Sequence, residues 1–125
     1  MRLLPLLLYG CAATGPLPAP PSDDGLAREL AGRVAGPAQS CVPVSVSGHA
    51  LQVAARRAIV YRQGGAIWVN RLSGDCPGFH PSDTLVVELY GARYCRGDRV
   101  HARSPGSNIP GPACLLSEFV PYRRP

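Results

Sequence analysis

Apolar and polar residues alternate along most of the chain that follows Cys41. In residues 41–47 every second position is a valine, and a period of two is that of a half-buried β-strand. Apolar runs at residues 58–62 and 66–70 are separated by Gln-Gly-Gly, which predicts a β-hairpin. The other predicted strand segments are residues 51–53, which continue the first strand, and residues 85–90, 94–100 and 114–120.

One segment before these strands has helical periodicity instead. Leu26, Leu30 and Val34 are spaced at i, i+4 and i+8 and form one apolar stripe. Ser22 is a suitable N-cap, and the Gly-Pro pair at residues 36–37 predicts the end of the helix. We expect this stripe to pack on the sheet, and binding of a partner is the alternative.

These patterns predict a mainly β domain of the α+β class. Six short strands within about 80 residues favour a small antiparallel sheet, or a partial barrel, with one N-terminal helix packed on it. Gly and Pro number 14 each, which indicates many turns. We assign residues 22–125 to this single domain.

The N-terminus has the features of an export signal. Residues 3–9 are almost entirely apolar after a basic Arg2, and they lead to Leu-Tyr-Gly-Cys at residues 8–11. This tetrapeptide resembles a bacterial lipobox, in which the cysteine thiol receives a diacylglyceryl group and the chain is cut just before it. We therefore predict a lipoprotein signal peptide over residues 1–10 and lipidation of Cys11. The alternative is simple secretion with a cut after Ala13.

A proline-rich stretch follows the predicted lipid attachment point. Residues 11–21 contain four prolines among small residues, a composition typical of an extended linker. We interpret this stretch as a tether of about 30 Å between the membrane and the domain. Cys11 is followed by Ala12 rather than Asp, so we place the protein at the outer membrane, facing the periplasm. The alternative location is soluble, in the periplasm or outside the cell.

Five cysteines are an odd number, and lipidation of Cys11 leaves four that can pair in an oxidising compartment. No C-x-x-C spacing occurs, which disfavours zinc and thioredoxin-type sites. Cys95 and Cys114 flank the predicted last hairpin, so we favour a Cys95–Cys114 bond, with Cys41–Cys76 as the second. The strongest rival arrangement joins Cys76 to Cys95 and Cys41 to Cys114.

The net charge is +5, and all 13 basic residues are arginines. They are spread along the chain without a basic helix, so we expect no nucleic-acid binding. An anionic lipid surface or an acidic polysaccharide suits a basic envelope protein better.

Candidate chemistry is sparse. His49, His80 and His101 lack metal-ligand spacing, and we predict neither a metal nor another cofactor. We expect the Asn70 side chain to bond backbone at the end of a strand, with ligand binding as the alternative. We expect the large aromatic residues of the strands to pack in the core; they are Tyr61, Trp68, Tyr90 and Phe119. The alternative is that several of them lie on one exposed face with Arg62, Arg71 or Arg93.

Four short motifs occur in order along the strands. They are Val-Asn-Arg-Leu at residues 69–72, Cys-Pro-Gly-Phe at 76–79, Tyr-Cys-Arg-Gly-Asp at 94–98 and Cys-Leu-Leu-Ser-Glu-Phe-Val-Pro at 114–121. Over residues 41–122 the chain resembles a family of small proteobacterial lipoproteins that is defined by a domain of unknown function. The resemblance implies an exported single domain, and it implies no activity or catalytic residue.

We therefore expect a non-catalytic envelope lipoprotein that is attached to the membrane through Cys11. Its expected partner is an envelope protein or a cell-wall component such as a glycan. The alternative function is that of a small periplasmic enzyme inhibitor or enzyme.

Overall fold

A computed structural model describes residues 24–44, 50–74, 76–89 and 91–125. The predicted signal peptide, Cys11 and the tether lie outside these residues. The elements in chain order are α1 (Asp24–Leu30), β1 (Val34–Ala35), β2 (Cys41–Pro43), β3 (Gln52–Ala55), β4 (Ala58–Gln63), β5 (Ala66–Arg71), β6 (Thr84–Val87), β7 (Arg93–Cys95), β8 (Arg99–Arg103), β9 (Cys114–Leu115) and β10 (Phe119–Arg123).

Within the described residues the strands form three sheets, and every strand pair there is antiparallel. The largest has five strands in the order β1-β10-β5-β4-β3, a second pairs β2 with β7, and a third has the order β6-β8-β9. This architecture confirms the predicted mainly β class, with antiparallel pairing, one short N-terminal helix and two cysteine pairs.

The helix is shorter than its apolar stripe predicts. It ends at Leu30, and Gly32 then adopts a φ of 77°, which reverses the chain out of the helix. Val34 is therefore no helical residue. It pairs with Arg123 in the edge strand β1 and is 60% exposed, so only the first part of the predicted stripe packs on the sheet.

Two long predicted strands are each divided in the structure. Residues 94–100 turn at Arg96 and Gly97, where the Asp98 carboxylate accepts a hydrogen bond from the Cys95 amide at 2.8 Å. Residues 114–120 are interrupted between β9 and β10. As a result β8, and not β7, pairs with β9, and Cys114 lies opposite Val100.

This division overturns the favoured disulfide pairing. The structure joins Cys41 to Cys95 and Cys76 to Cys114, with Cα separations of 4.1 and 5.2 Å. Neither the favoured arrangement nor its rival contains these bonds. Cys41 and Cys95 are direct cross-strand partners in the β2–β7 pair, whereas the hairpin expected to bring Cys95 to Cys114 does not form.

Buried residues lie on both faces of the five-stranded sheet because neighbouring strand residues point to opposite faces. One cluster lies between this sheet and helix α1, and includes Leu26, Val60 and Val69. The other lies between this sheet and the two smaller sheets, and includes Trp68 and Val100. We refer to the first side as the helix face.

Candidate binding grooves

An open groove lies on the helix face where α1 does not cover β5 and β10. We call it the sheet groove, and its volume is about 420 Å³. Its lining residues are Val69, Arg71, Ser73, Arg96, Ser117, Glu118, Val120 and Tyr122.

The sheet groove has an apolar floor and a charged rim. Val69 and Val120 are cross-strand partners, and Tyr122 is the next residue of β10 on the same face. On the rim, Arg96 Nη1 lies 3.4 Å from Glu118 Oε1, and both side chains are about half exposed. An ion pair this exposed contributes little to stability, so both groups are available to a ligand at small cost.

Asn70 holds the rim in position. Its side chain is 0% exposed, its Nδ2 donates to the Ser117 carbonyl at 2.7 Å, and its Oδ1 accepts from the Ser117 amide at 2.8 Å. This two-way bonding confirms the prediction that Asn70 bonds backbone at a strand end. It also fixes the segment that carries Ser117 and Glu118 into the sheet groove.

A second open groove lies where the β4–β5 turn meets the end of helix α1. We call it the hairpin groove, and its volume is about 490 Å³. Gly64 and Gly65 have φ values of 61° and 74°, which are those of the tight hairpin turn predicted from the sequence. The lining residues are Glu29, Arg33, Arg62, Gln63, Gly64, Gly65, Ala66, Ile67 and Arg124.

The hairpin groove carries an excess of positive charge. Arg62 forms an ion pair with Glu29 and a hydrogen bond with Gln52. Arg33 Nη1 donates to the carbonyls of Gly65 and Tyr122, at 3.2 Å each. Carbonyls do not neutralise its charge, so the groove keeps most of the positive potential of its arginines.

His80 and His101, the two histidines that the structure describes, line neither groove. His101 lies with Nδ1 at 3.1 Å from the Gly111 carbonyl and Nε2 at 3.4 Å from Glu88. His80 is exposed, and its amide donates to the Asp83 carboxylate at 2.9 Å. His49 lies outside the described residues. In the part of the chain that the structure describes, no three His, Cys, Asp or Glu side chains are grouped to hold a metal ion.

Three of the four strand aromatics are core residues, as predicted. Tyr61, Trp68 and Phe119 are all buried, whereas Tyr90 lies outside the described residues. Tyr61 stacks edge-to-face on Tyr94 with ring centroids 5.5 Å apart, and its hydroxyl donates to the Pro43 carbonyl at 3.0 Å. Burial, and to a lesser extent the nearby Tyr61, raises the pKa of Tyr94 above 10.0.

Sequence reasoning named Arg62 and Arg71 for an exposed face but missed the other groove residues. Arg71 lines the sheet groove and Arg62 lines the hairpin groove, while Arg93 lines neither. Arg33, Arg96 and Arg124 reach the grooves from three separate loops or strand ends. The spacing of two between Val69 and Arg71, and again between Val120 and Tyr122, was the signal of a shared face in the sequence.

Comparisons with known proteins add no relative. No protein-family model, curated protein or solved structure matches this chain. The resemblance to small proteobacterial lipoproteins therefore stays a prediction. Within the described ranges, α1 is too short to cross a membrane, and no other helix there could do so.

Proposed function

We propose that this protein is a non-catalytic lipoprotein of the bacterial cell envelope that binds a carboxylate-bearing cell-wall component. In this proposal Cys11 carries the lipid, the domain faces the periplasm from the outer membrane, and the sheet groove is the binding site. The Leu-Tyr-Gly-Cys tetrapeptide at residues 8–11 and the four remaining cysteines support export.

The composition of the sheet groove carries this proposal. An apolar floor with a few polar groups at its edge is the usual form of a small-ligand site. Arg71 and Arg96 suit the carboxylates of a peptide or of an acidic glycan, because the guanidinium group can bond a carboxylate through two N–H groups. Glu118 suits an amine on the same ligand, and such amine and carboxylate groups occur together on cell-wall peptides.

Several side chains of types that can act in catalysis form structural bonds instead, which supports binding over catalysis. The four cysteines of the domain are paired. The Asp98 carboxylate closes the turn after Cys95, and Ser117 donates from its hydroxyl to the Arg71 carbonyl.

The test of the site is co-sedimentation of the purified protein with isolated cell-wall sacculi. We expect Arg96→Gln to weaken binding about tenfold, because a hydrogen bond to a charged group contributes about 1.5–3 kcal/mol. The matched control is Arg99→Gln, which removes the same charge from an exposed residue outside the groove. Equal losses in both variants would show unspecific charge attraction, and no sedimentation of the wild type would exclude the cell wall as ligand.

The lipid anchor has a separate test. We expect the wild type to take up a clickable palmitate analogue and to fractionate with membranes. Cys11→Ala should abolish the label and leave a soluble or unprocessed protein. An unlabelled wild type whose N-terminus follows Ala13 would contradict the anchor.

A second candidate function is inhibition of an enzyme by the loop between β8 and β9. Ile109 is 79% exposed at this loop, which is braced by a hydrogen bond from the Gly111 amide to the Ala102 carbonyl at 2.9 Å. An apolar tip on a braced loop suits insertion into a cleft of a partner protein. In-cell photo-crosslinking from position 109 should then yield one protein adduct, and cell-wall adducts alone would exclude this candidate.

A further inference from the structure

We propose that the hairpin groove is a docking surface for anionic phospholipid headgroups of the membrane to which the protein is attached. This inference goes beyond cell-wall binding and rests on the proposed lipid anchor for its biological setting. It would orient the domain on the bilayer.

The charge of the hairpin groove points to an anionic surface. Arg33, Arg62 and Arg124 line it, and Glu29 is the one carboxylate among its described lining residues. The groove therefore has a formal charge of +2 from its own side chains. Basic groups at a membrane surface attract anionic lipids over about a Debye length.

Two of these arginines are held in place before any ligand arrives. Arg33 is bonded to two backbone carbonyls, and Arg62 is bonded to Glu29. Arg124 is exposed and makes no hydrogen bond or ion pair among the described residues. The groove thus offers two ordered guanidinium groups and one that is free to reach a phosphate, which suits a layer of headgroups better than a single shaped ligand.

The chain before the domain is long enough to bring this groove to the bilayer. Asp24, where α1 begins, lies 13 residues after Cys11, and 13 residues span at most about 45 Å. Glu29 lies five residues further along the helix, which is about 7.5 Å. The attachment point and the groove can therefore meet the same membrane surface.

Docking through the hairpin groove leaves the Arg71 end of the sheet groove, with its charged rim, accessible. The β4–β5 turn at Gly65 marks one end of β5, and Arg71 marks the other. Six residues of strand span about 20 Å. With the turn at the membrane, the Arg71 end of the sheet groove lies away from the bilayer, whereas its Tyr122 end is next to the hairpin groove, because Tyr122 is the cross-strand partner of Ile67.

The experiment is vesicle flotation of the full chain carrying Cys11→Ala, so that lipidation does not contribute. We compare neutral phosphatidylcholine vesicles with vesicles that also contain phosphatidylglycerol, and we expect binding to the anionic vesicles only. Arg124→Gln should lower the partition coefficient about fivefold, since a basic residue near an anionic surface contributes about 1 kcal/mol.

Two further variants separate docking from misfolding and from general charge effects. Glu29→Gln removes the carboxylate of the groove while keeping a hydrogen-bond acceptor for Arg62, and it should raise partitioning about fivefold. Misfolding would not strengthen binding. Arg103→Gln removes an exposed charge from the third sheet, on the other side of the five-stranded sheet, and should change partitioning less than twofold.

Three outcomes would overturn the proposal. The first is equal flotation with neutral vesicles, and the second is an equal effect of Arg124→Gln and Arg103→Gln. The third is loss of flotation in inorganic phosphate beyond the loss in sodium chloride of the same ionic strength, which would indicate a site for free phosphate. Because the tested chain cannot be lipidated, failure of the Cys11 anchor and failure of this docking surface are distinguishable.

Discussion

Asn70→Asp replaces the side-chain NH2 group by an oxygen, and this change should make the stability of the domain strongly dependent on pH. In the wild type, Nδ2 of the buried Asn70 donates to the Ser117 carbonyl at 2.7 Å, and Oδ1 accepts from the Ser117 amide at 2.8 Å. An ionised carboxylate keeps the second bond. In place of the first bond it puts two acceptors facing each other, at a position that is 0% exposed to solvent.

The size of the effect has an upper bound. A buried carboxylate of which one oxygen faces an acceptor instead of a donor has a raised pKa, because its charged form is disfavoured. The carboxylate can avoid the free-energy cost of a buried charge by binding a proton. At about pH 7 that protonation costs about 4 kcal/mol for a carboxyl with an ordinary pKa of about 3.9. The protonated form has an O–H that can donate to the Ser117 carbonyl as Nδ2 does, so little else is lost.

The sign of the pH dependence follows from the raised pKa. The carboxyl is protonated in both folded and unfolded chains below about pH 3.9, where we expect the variant to be within about 1 kcal/mol of wild type. As the pH rises, the unfolded chain loses the proton first and the variant loses stability. A deficit of about 3–4 kcal/mol at neutral pH is a large part of the 5–15 kcal/mol of a typical domain.

Urea denaturation of wild type and variant at several pH values measures this difference. Asn108→Asp is the matched control, because it makes the same chemical change at an exposed loop residue and should cost less than about 0.5 kcal/mol at any pH. A difference from wild type that is equal at about pH 3 and about pH 7 would refute the two-way bonding of Asn70 to Ser117.

Two other predictions concern the backbone and the partly buried phenol of Tyr94. Gly78 has a φ of 88°, and a Cβ there would overlap the Arg56 carbonyl oxygen, so Gly78→Ala should cost more than about 2 kcal/mol in thermal denaturation. Gly91→Ala, at a φ of 96° in open space, should cost about 1 kcal/mol; equal losses would contradict the close approach to Arg56. The raised pKa of Tyr94 predicts that its contribution to stability is constant below about pH 10 and falls as the pH rises further. Tyr94→Phe should reduce this alkaline loss, and an unchanged slope would be evidence against burial of the phenol.

The elements that the sequence predicts well are those fixed by local rules. The β4–β5 hairpin is one, because two apolar runs flank a Gly-Gly pair that accepts the positive φ values of a two-residue turn. The structural role of Asn70 is another, since a buried amide at a strand end needs backbone partners. The hairpin needs only neighbouring residues, whereas for Asn70 the kind of partner was predicted and the partner itself, Ser117, lies 47 positions further along the chain.

The elements that the sequence predicts poorly depend on partners that are distant along the chain. Val34 fits the helical stripe, yet pairing of β1 with β10 uses it as a strand residue some 90 positions before its partner Arg123. The division of residues 94–100 depends on Asp98, whose carboxylate competes for the Cys95 amide. The two grooves share this difficulty, because the sheet order alone brings Arg96 to the sheet groove, and Arg33 and Arg124 to the hairpin groove.

The disulfide between Cys41 and Cys95 should support one groove more than the other. It links β2 to β7, a two-stranded sheet, and an isolated pair of strands is only marginally stable. Arg96 follows directly and is held by a hydrogen bond from its amide to the Ser40 carbonyl at 2.7 Å. The position of Arg96 on the rim of the sheet groove therefore depends on the Cys41–Cys95 disulfide.

The hairpin groove has no such dependence, because it is built on the β4–β5 and β10–β5 pairings of the five-stranded sheet. We expect the double variant Cys41→Ala and Cys95→Ala to lose about 4 kcal/mol of stability, as the closed loop spans 54 residues. In the cold, where the variant stays folded, its binding to sacculi should fall about tenfold, whereas its partitioning to anionic vesicles should stay within about twofold. Circular dichroism checks that the fold persists. Parallel losses at both surfaces would mean that the two grooves are not separately supported, and that the division of the domain into a membrane end and a binding end is wrong.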